Sequence, residues 1–129
     1  MSHLALERTA VTPEVRFDPA GHTLAVVGEC YPENPIPFFG QLFAALQVHL
    51  STQPAQLDVT LRLSYVNSAS TKAVRKLLLK LDEAAGRGTH VSVCWEHEVG
   101  DETIAELGED LAEGLHQLDF EQRAFDLAA

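Results

Sequence analysis

The chain has 129 residues, 46% hydrophobic and 22% charged, with a formal net charge of −10 at neutral pH. That length suits one domain able to bury a core without metal or disulfide staples, and the acidic balance argues against nonspecific binding to nucleic acid or to an anionic membrane surface. No apolar run approaches the roughly 20 residues of a membrane span, the N-terminus lacks a signal-peptide pattern, and Cys30 and Cys94 form no disulfide framework, so a cytoplasmic, reducing setting is expected.

In chain order, residues 15–18 read as a short strand closed by the turn signal Asp18-Pro19-Ala20-Gly21. Residues 22–30 form a second strand centred on Leu24, Val26 and Val27, and the two make a hairpin. Asn34 then suits a helix N-cap and Pro35 the first helical position. Phe39, Leu42, Phe43, Leu46 and Leu50 follow at helical spacing, with Gln41, Gln47 and His49 as the polar side.

Residues 57–65 alternate cleanly, Leu57, Val59, Leu61, Leu63 and Tyr65 on one face and Asp58, Thr60, Arg62 and Ser64 on the other. Asn67, Ser68 and Ser70 offer caps for a second helix with a core stripe of Val74, Leu77, Leu78 and Leu81. Leu79 lies off that stripe as an exposed apolar contact. Gly86-Arg87-Gly88 stops this helix. Residues 90–98 are a strand with Val91, Val93 and Trp95 on its core face. A third helix over 101–115 turns Ile104, Leu107, Leu111 and Leu115 inward. The end either adds a strand near Phe120 or frays.

The expected fold is a single α/β domain over residues 1–129 with a mixed sheet, order ββαβαβα, its helices packed mainly on one face. Residues 1–11 and about 121–129 are expected to be flexible ends. Charge is uneven: residues 96–121 hold ten acidic residues and no Lys or Arg, whereas Lys72, Arg75, Lys76 and Lys80 crowd one segment.

The stretch Tyr65-Val66-Asn67-Ser68-Ala69-Ser70-Thr71-Lys72 is the most informative. A helix start presents unpaired N–H groups and the positive end of the helix dipole, and so accommodates a phosphate. A phosphoserine there would bring close to two negative charges beside Lys72, Arg75 and Lys76. On local physics alone, a serine in this place is most often a cap.

Five segments taken in order carry a resemblance. They are Thr12-Pro13-Glu14-Val15, Gly28-Glu29-Cys30-Tyr31-Pro32-Glu33-Asn34, the Tyr65–Lys72 stretch, Val91-Ser92-Val93-Cys94-Trp95, and an acidic run through Asp101, Glu102, Glu106, Gly108 and Glu109. The chain resembles the SiaC family of bacterial regulatory phosphoproteins over nearly its whole length. The resemblance implies a fold like STAS domains of the anti-anti-sigma type. It implies a phosphoacceptor at Ser68, with Ser70 and Thr71 as competing hydroxyls. It also implies phosphorylation by an anti-sigma-type Ser/Thr kinase, reversal by a PP2C-type phosphatase, and a diguanylate cyclase bound and activated by the unmodified form. The implied partner surface takes in Tyr31, Glu33, Asn34, Asn67, Ser70, Lys72, Arg75, Lys76 and Leu79. No cofactor, enzymatic activity or metal is expected, and the free chain is expected to be a monomer. Three positions depart from the family pattern: Cys30 where a small polar residue is usual, Ala69 in place of Ser, and Thr71 in place of an apolar residue or Ser.

Two other readings compete with this one. Control of a sigma factor is the alternative output of the same switch. A small hydrolase or metal domain would use Cys94, Glu96, His97, Glu98 and His90, or Ser68 as a nucleophile. The spacing is wrong for zinc, and Cys94 and His97 point to opposite faces of a strand. No Gly-x-Ser-x-Gly elbow occurs.

Overall fold

The structure, a computed structural model, describes residues 3–126. The elements are β1 (Leu4–Leu6), β2 (Glu14–Asp18), β3 (Thr23–Cys30), α1 (Ile36–Leu50), β4 (Gln56–Val66), α2 (Ser68–Gly86), β5 (His90–Glu98), α3 (Glu102–Ala112) and β6 (Asp119–Phe125). The expected order runs intact from β2 to α3, with one strand added at each end. Of the segments expected to be flexible, residues 4–6 pair with β2 and residues 121–125 pair with β5. The first two and last three residues lie outside the described range.

The six strands lie in the order β1-β2-β3-β4-β5-β6. β1, β2 and β3 pair antiparallel, whereas β3, β4, β5 and β6 run parallel. Each parallel step goes to the next neighbour through one helix. Right-handed crossovers of this kind put all three helices on the same face. The strand periodicity explains the layer: Leu57, Val59, Leu61 and Leu63 are buried under the helices together with Val91, Val93 and Trp95. Burying such a side chain contributes roughly 1.5–3 kcal/mol each. The opposite face carries no helix. In its place Arg16 pairs with Glu7 and Glu14, Arg62 with Glu96, and Arg123 with Glu121.

Tyr65 departs from its expected place. It is 54% exposed, because the β3–β4 register shifts with Ser64 as an extra residue, which sets Tyr65 opposite the exposed Glu29 and Val66 opposite the buried Cys30. His49, expected on the polar side of α1, is buried and meets the Phe17 ring edge-on at 5.6 Å. It falls on the core stripe three residues after Leu46, so helical phase overrides polarity. The α1 cap also differs: Pro35 occupies the N-cap position, and Asn34 stands one residue earlier. The Asn34 Oδ1 still accepts from the Ile36 N–H at 3.2 Å, which preserves its capping role.

Two contacts lock the C-terminal half. The Asp82 carboxylate on α2 accepts the backbone N–H groups of His116, Gln117 and Leu118, pinning the α3–β6 connection. The buried Trp95 donates from Nε1 to the Ile104 carbonyl at 2.9 Å. Gly108 makes that seat possible, since a Cβ there would stand 2.6 Å from the indole.

Candidate functional site

The β4–α2 junction is built around Asn67. Its backbone is extended, with φ −77° and ψ 171°, and its Oδ1 accepts the Ser70 N–H at 2.9 Å to cap α2. Its carbonyl receives both the backbone N–H and the hydroxyl of Thr71. Its own N–H donates to the Cys30 carbonyl, and its Nδ2 donates to the Pro32 carbonyl at 3.1 Å. One side chain therefore starts the helix and fastens the β3–α1 loop beside it. Tyr31 from that loop meets Tyr65 edge-to-face at 5.2 Å, with both rings exposed.

The three hydroxyls proposed from sequence are placed very differently. Ser68, the first residue of α2, is exposed, and its hydroxyl has no hydrogen-bond partner among the described residues. Its amide and that of Ala69 belong to the open first turn of the helix. Ser70 is fully buried, its hydroxyl beside the Cys30 thiol without an aligned hydrogen bond. Burial pushes the Cys30 thiol pKa up, and the Ser70 hydroxyl offsets part of that rise. Thr71 is half-buried and spends its proton on the Asn67 carbonyl.

Lys72 and Arg75 follow Ser68 at the helical spacings of four and seven, with Lys76 beside them and Leu79, 42% exposed, one turn further on. This strip borders a groove of about 380 Å³ between α1 and α2, whose floor is Phe39 and Phe43 and whose rims are Ile36 and Lys76. Ile36 is 74% exposed. Gly40 lines the groove, and a Cβ there would stand in open space with nothing within 4 Å. Lys76 and Lys80 hold their ammonium groups 5.4 and 5.8 Å from the Phe43 ring centre, a cation–π arrangement.

On the other side of Ser68 the surface changes sign. A second hollow of about 280 Å³ is walled by Tyr65, Asp101, Thr103 and Leu107 at the start of the acidic α3. Ser68 itself lines neither hollow: Ala69 and Lys72, just after it, line the basic, apolar one, and Tyr65 and Val66, just before it, line the acidic, aromatic one. Glu33 and Asn34 are both exposed in the loop leading to α1.

No group of three His, Cys, Asp or Glu side chains among the described residues is arranged to hold a metal. Burial raises the Cys94 thiol pKa, which keeps the thiol protonated and unreactive at neutral pH. Periodicity could not have found Gly40, but a glycine in mid-helix one turn after an exposed Ile36 is a signal for a surface hollow. The Tyr31–Tyr65 pair joins residues far apart in sequence and has no local signature.

A one-faced α/β sheet with an unbonded hydroxyl opening a helix, flanked by shallow grooves of opposite charge, defines a small regulatory domain that works through its surface. The chain belongs to the SiaC family of regulatory phosphoproteins, whose family model matches residues 6–125. It is similar to the solved structure of SiaC of Pseudomonas aeruginosa, with 33% identity and a TM-score of 0.88 over 97% of this chain and all of that one. It is also similar to SiaC in a crystal structure of the diguanylate cyclase SiaD in complex with its activator SiaC from Pseudomonas aeruginosa. There the identity is 32% and the TM-score 0.84, over 93% of this chain and 99% of that one. An uncharacterised protein of Pseudomonas aeruginosa (strain UCBPP-PA14) is 35% identical over 113 residues, 88% of this chain and 90% of the relative.

Proposed function

We propose that the unmodified chain binds and activates a diguanylate cyclase, and that phosphorylation of Ser68 releases it. The observation that carries this reading is the position of the Ser68 hydroxyl, exposed and unbonded at the first residue of α2, next to Ala69 and one turn before Lys72, which line the α1–α2 groove. The family's character as regulatory phosphoproteins, and the activator role of SiaC toward SiaD in Pseudomonas aeruginosa, support the same reading.

The groove suits an amphipathic helix of the target, apolar side chains on Phe39 and Phe43, acidic ones against Lys72, Arg75 and Lys76. A phosphate on Ser68 would sit over the helix N-terminus and within reach of Lys72, one turn on. It would neutralise part of the basic strip and meet the acidic residues of the target with like charge. The same groove then repels what it held. On this reading a Ser/Thr kinase of the anti-sigma type places the phosphate on Ser68, and a PP2C-type phosphatase removes it. The domain itself is non-enzymatic, cytoplasmic and monomeric when free.

The test is to add the purified chain to the diguanylate cyclase of its own organism and follow product formation from GTP. Unmodified protein and Ser68→Ala should both activate, and stoichiometrically phosphorylated protein should not. Equal activation by phosphorylated and unmodified protein would place the switch elsewhere.

A further inference from the structure

A hollow on the helix-free face of the sheet is separate from the Ser68 surface. It lies at the carboxyl ends of the parallel strands β3 to β6. Its volume is about 190 Å³, and Arg8, Arg62, Ser64, Glu98, Asp101 and Phe125 supply its chemistry.

Each arginine is seated by a specific feature. Gly28 has φ +136° where the β3–β4 register shifts, Ser64 of β4 being the extra residue. A Cβ there would stand 3.0 Å from the Arg8 Nε, so the glycine clears a place for the guanidinium to lie on the strand. Arg8 donates to the Val27 carbonyl at 3.3 Å, and no carboxylate lies within ion-pair distance of it among the described residues. Arg62, in register with Val27 on the next strand, donates from Nε to Glu96 at 2.9 Å. Its guanidinium carbon stands 3.9 Å from the centre of the Phe125 ring. Those contacts fix the plane of Arg62 and leave its terminal nitrogens free to donate as a fork, the geometry that suits a carboxylate.

The rest of the lining has the opposite sign. Asp101 gives one oxygen to the Ile104 N–H at 3.1 Å and keeps acceptor capacity, and Glu98 is exposed at the end of β5. A free phosphate or a dicarboxylate would set negative charge against these two. A bare cation would face two guanidinium groups. A ligand with a carboxylate at one end and an ammonium at the other satisfies the whole lining. The volume, on the order of six waters, holds a small molecule only.

We propose that this cavity binds a small α-amino acid, the carboxylate received by Arg8 and Arg62 and the ammonium by Glu98 and Asp101, with Phe125 as the wall against its carbon skeleton. Titration of the full chain with the free α-amino acids, followed by calorimetry and by the backbone amide resonances of Gly28 and Phe125, tests this. The matched probes are the corresponding carboxylic acids without the amino group, the amines without the carboxyl group, and inorganic phosphate. At least one amino acid should bind and shift both resonances. Removing either charge should weaken it by about tenfold or more. Arg8→Gln, a substitution on an exposed loop, should lose binding with an unchanged melting temperature. No shift with any amino acid at millimolar concentration would overturn the proposal. So would equal binding of phosphate or of the deaminated acid, or binding that survives Arg8→Gln.

Discussion

Asn67 and Pro32 are joined across 35 residues by a hydrogen bond of 3.1 Å, from the side-chain amide of one to the carbonyl of the other. The amide oxygen of the same side chain caps α2. The two functions separate chemically. Asn67→Asp keeps the capping oxygen and loses the donor to Pro32, whereas Asn67→Ala loses both. Denaturant unfolding should show Ala destabilised by about 1 kcal/mol or more from the cap alone, and Asp by less. In Asp the loop should loosen, which the Tyr31 ring resonances would report. Equal loss in the two variants would mean that the loop contact dominates.

Phosphorylation should follow exposure. With ATP and the kinase of the same organism, Ser68→Ala should take up no phosphate by intact mass. Ser70→Ala should take it up normally and keep its stability, because the buried hydroxyl it removes makes no aligned hydrogen bond.

Groove and charge strip can be tested without disturbing the fold. Gly40→Leu should block the α1–α2 groove, and its higher helix propensity should raise stability by up to about 1 kcal/mol. Arg75→Glu and Lys76→Glu should each weaken cyclase binding by about tenfold, with a steep dependence on salt. Unchanged affinity in all three variants would remove this surface from the interface.

Acid should act in two stages. Burial, with a smaller contribution from nearby His22, lowers the His49 pKa below its ordinary value. The unfolded chain thus binds a proton more readily than the folded one as pH falls through about 6.5, and stability declines from there. His49→Leu should abolish this first stage. At Asp82 burial alone would raise the pKa, but the backbone N–H groups of Gln117, Leu118 and His116 outweigh it and the net shift is downward. Its contribution is therefore complete above an unfolded pKa of about 4 and is lost as pH drops below that. Asp82→Asn should remove the second stage and cost about 2 kcal/mol at neutral pH. Urea midpoints measured across pH would separate the two.

Gly108→Ala should destabilise by about 1–3 kcal/mol, since the added methyl meets the rigid indole of Trp95. A loss of near-ultraviolet circular dichroism from Trp95 would accompany it.

How much was legible in the sequence follows from how local each feature is. The alternation at Leu57, Val59, Leu61 and Leu63 and the stripe at Val74, Leu77, Leu78 and Leu81 identify their elements directly. The second helix and its off-stripe Leu79 lie where spacing puts them. Spacing also placed His49 on the core stripe, but its polarity argued otherwise and misled. The edge strands were harder: β1 has three residues, and Asp119–Phe125 mixes charge with aromatics because only one long side of it is paired. The Ser68 region was readable because cap, acceptor and basic strip are contiguous. The hollow on the open face was not, since Arg8, Gly28, Arg62 and Phe125 come from four separate regions of the chain.

The order of strands in the sheet is also their order along the chain, and this has a consequence for assembly. A chain leaving the ribosome adds each new strand at an existing edge and never has to prise open a pair already joined. The helix carrying Ser68 can pack once β5 has docked, before β6 is made. The open-face hollow cannot exist so early, because Phe125 closes it from the last residue of β6. A product that stops before β6 would keep the switch and lack the pocket.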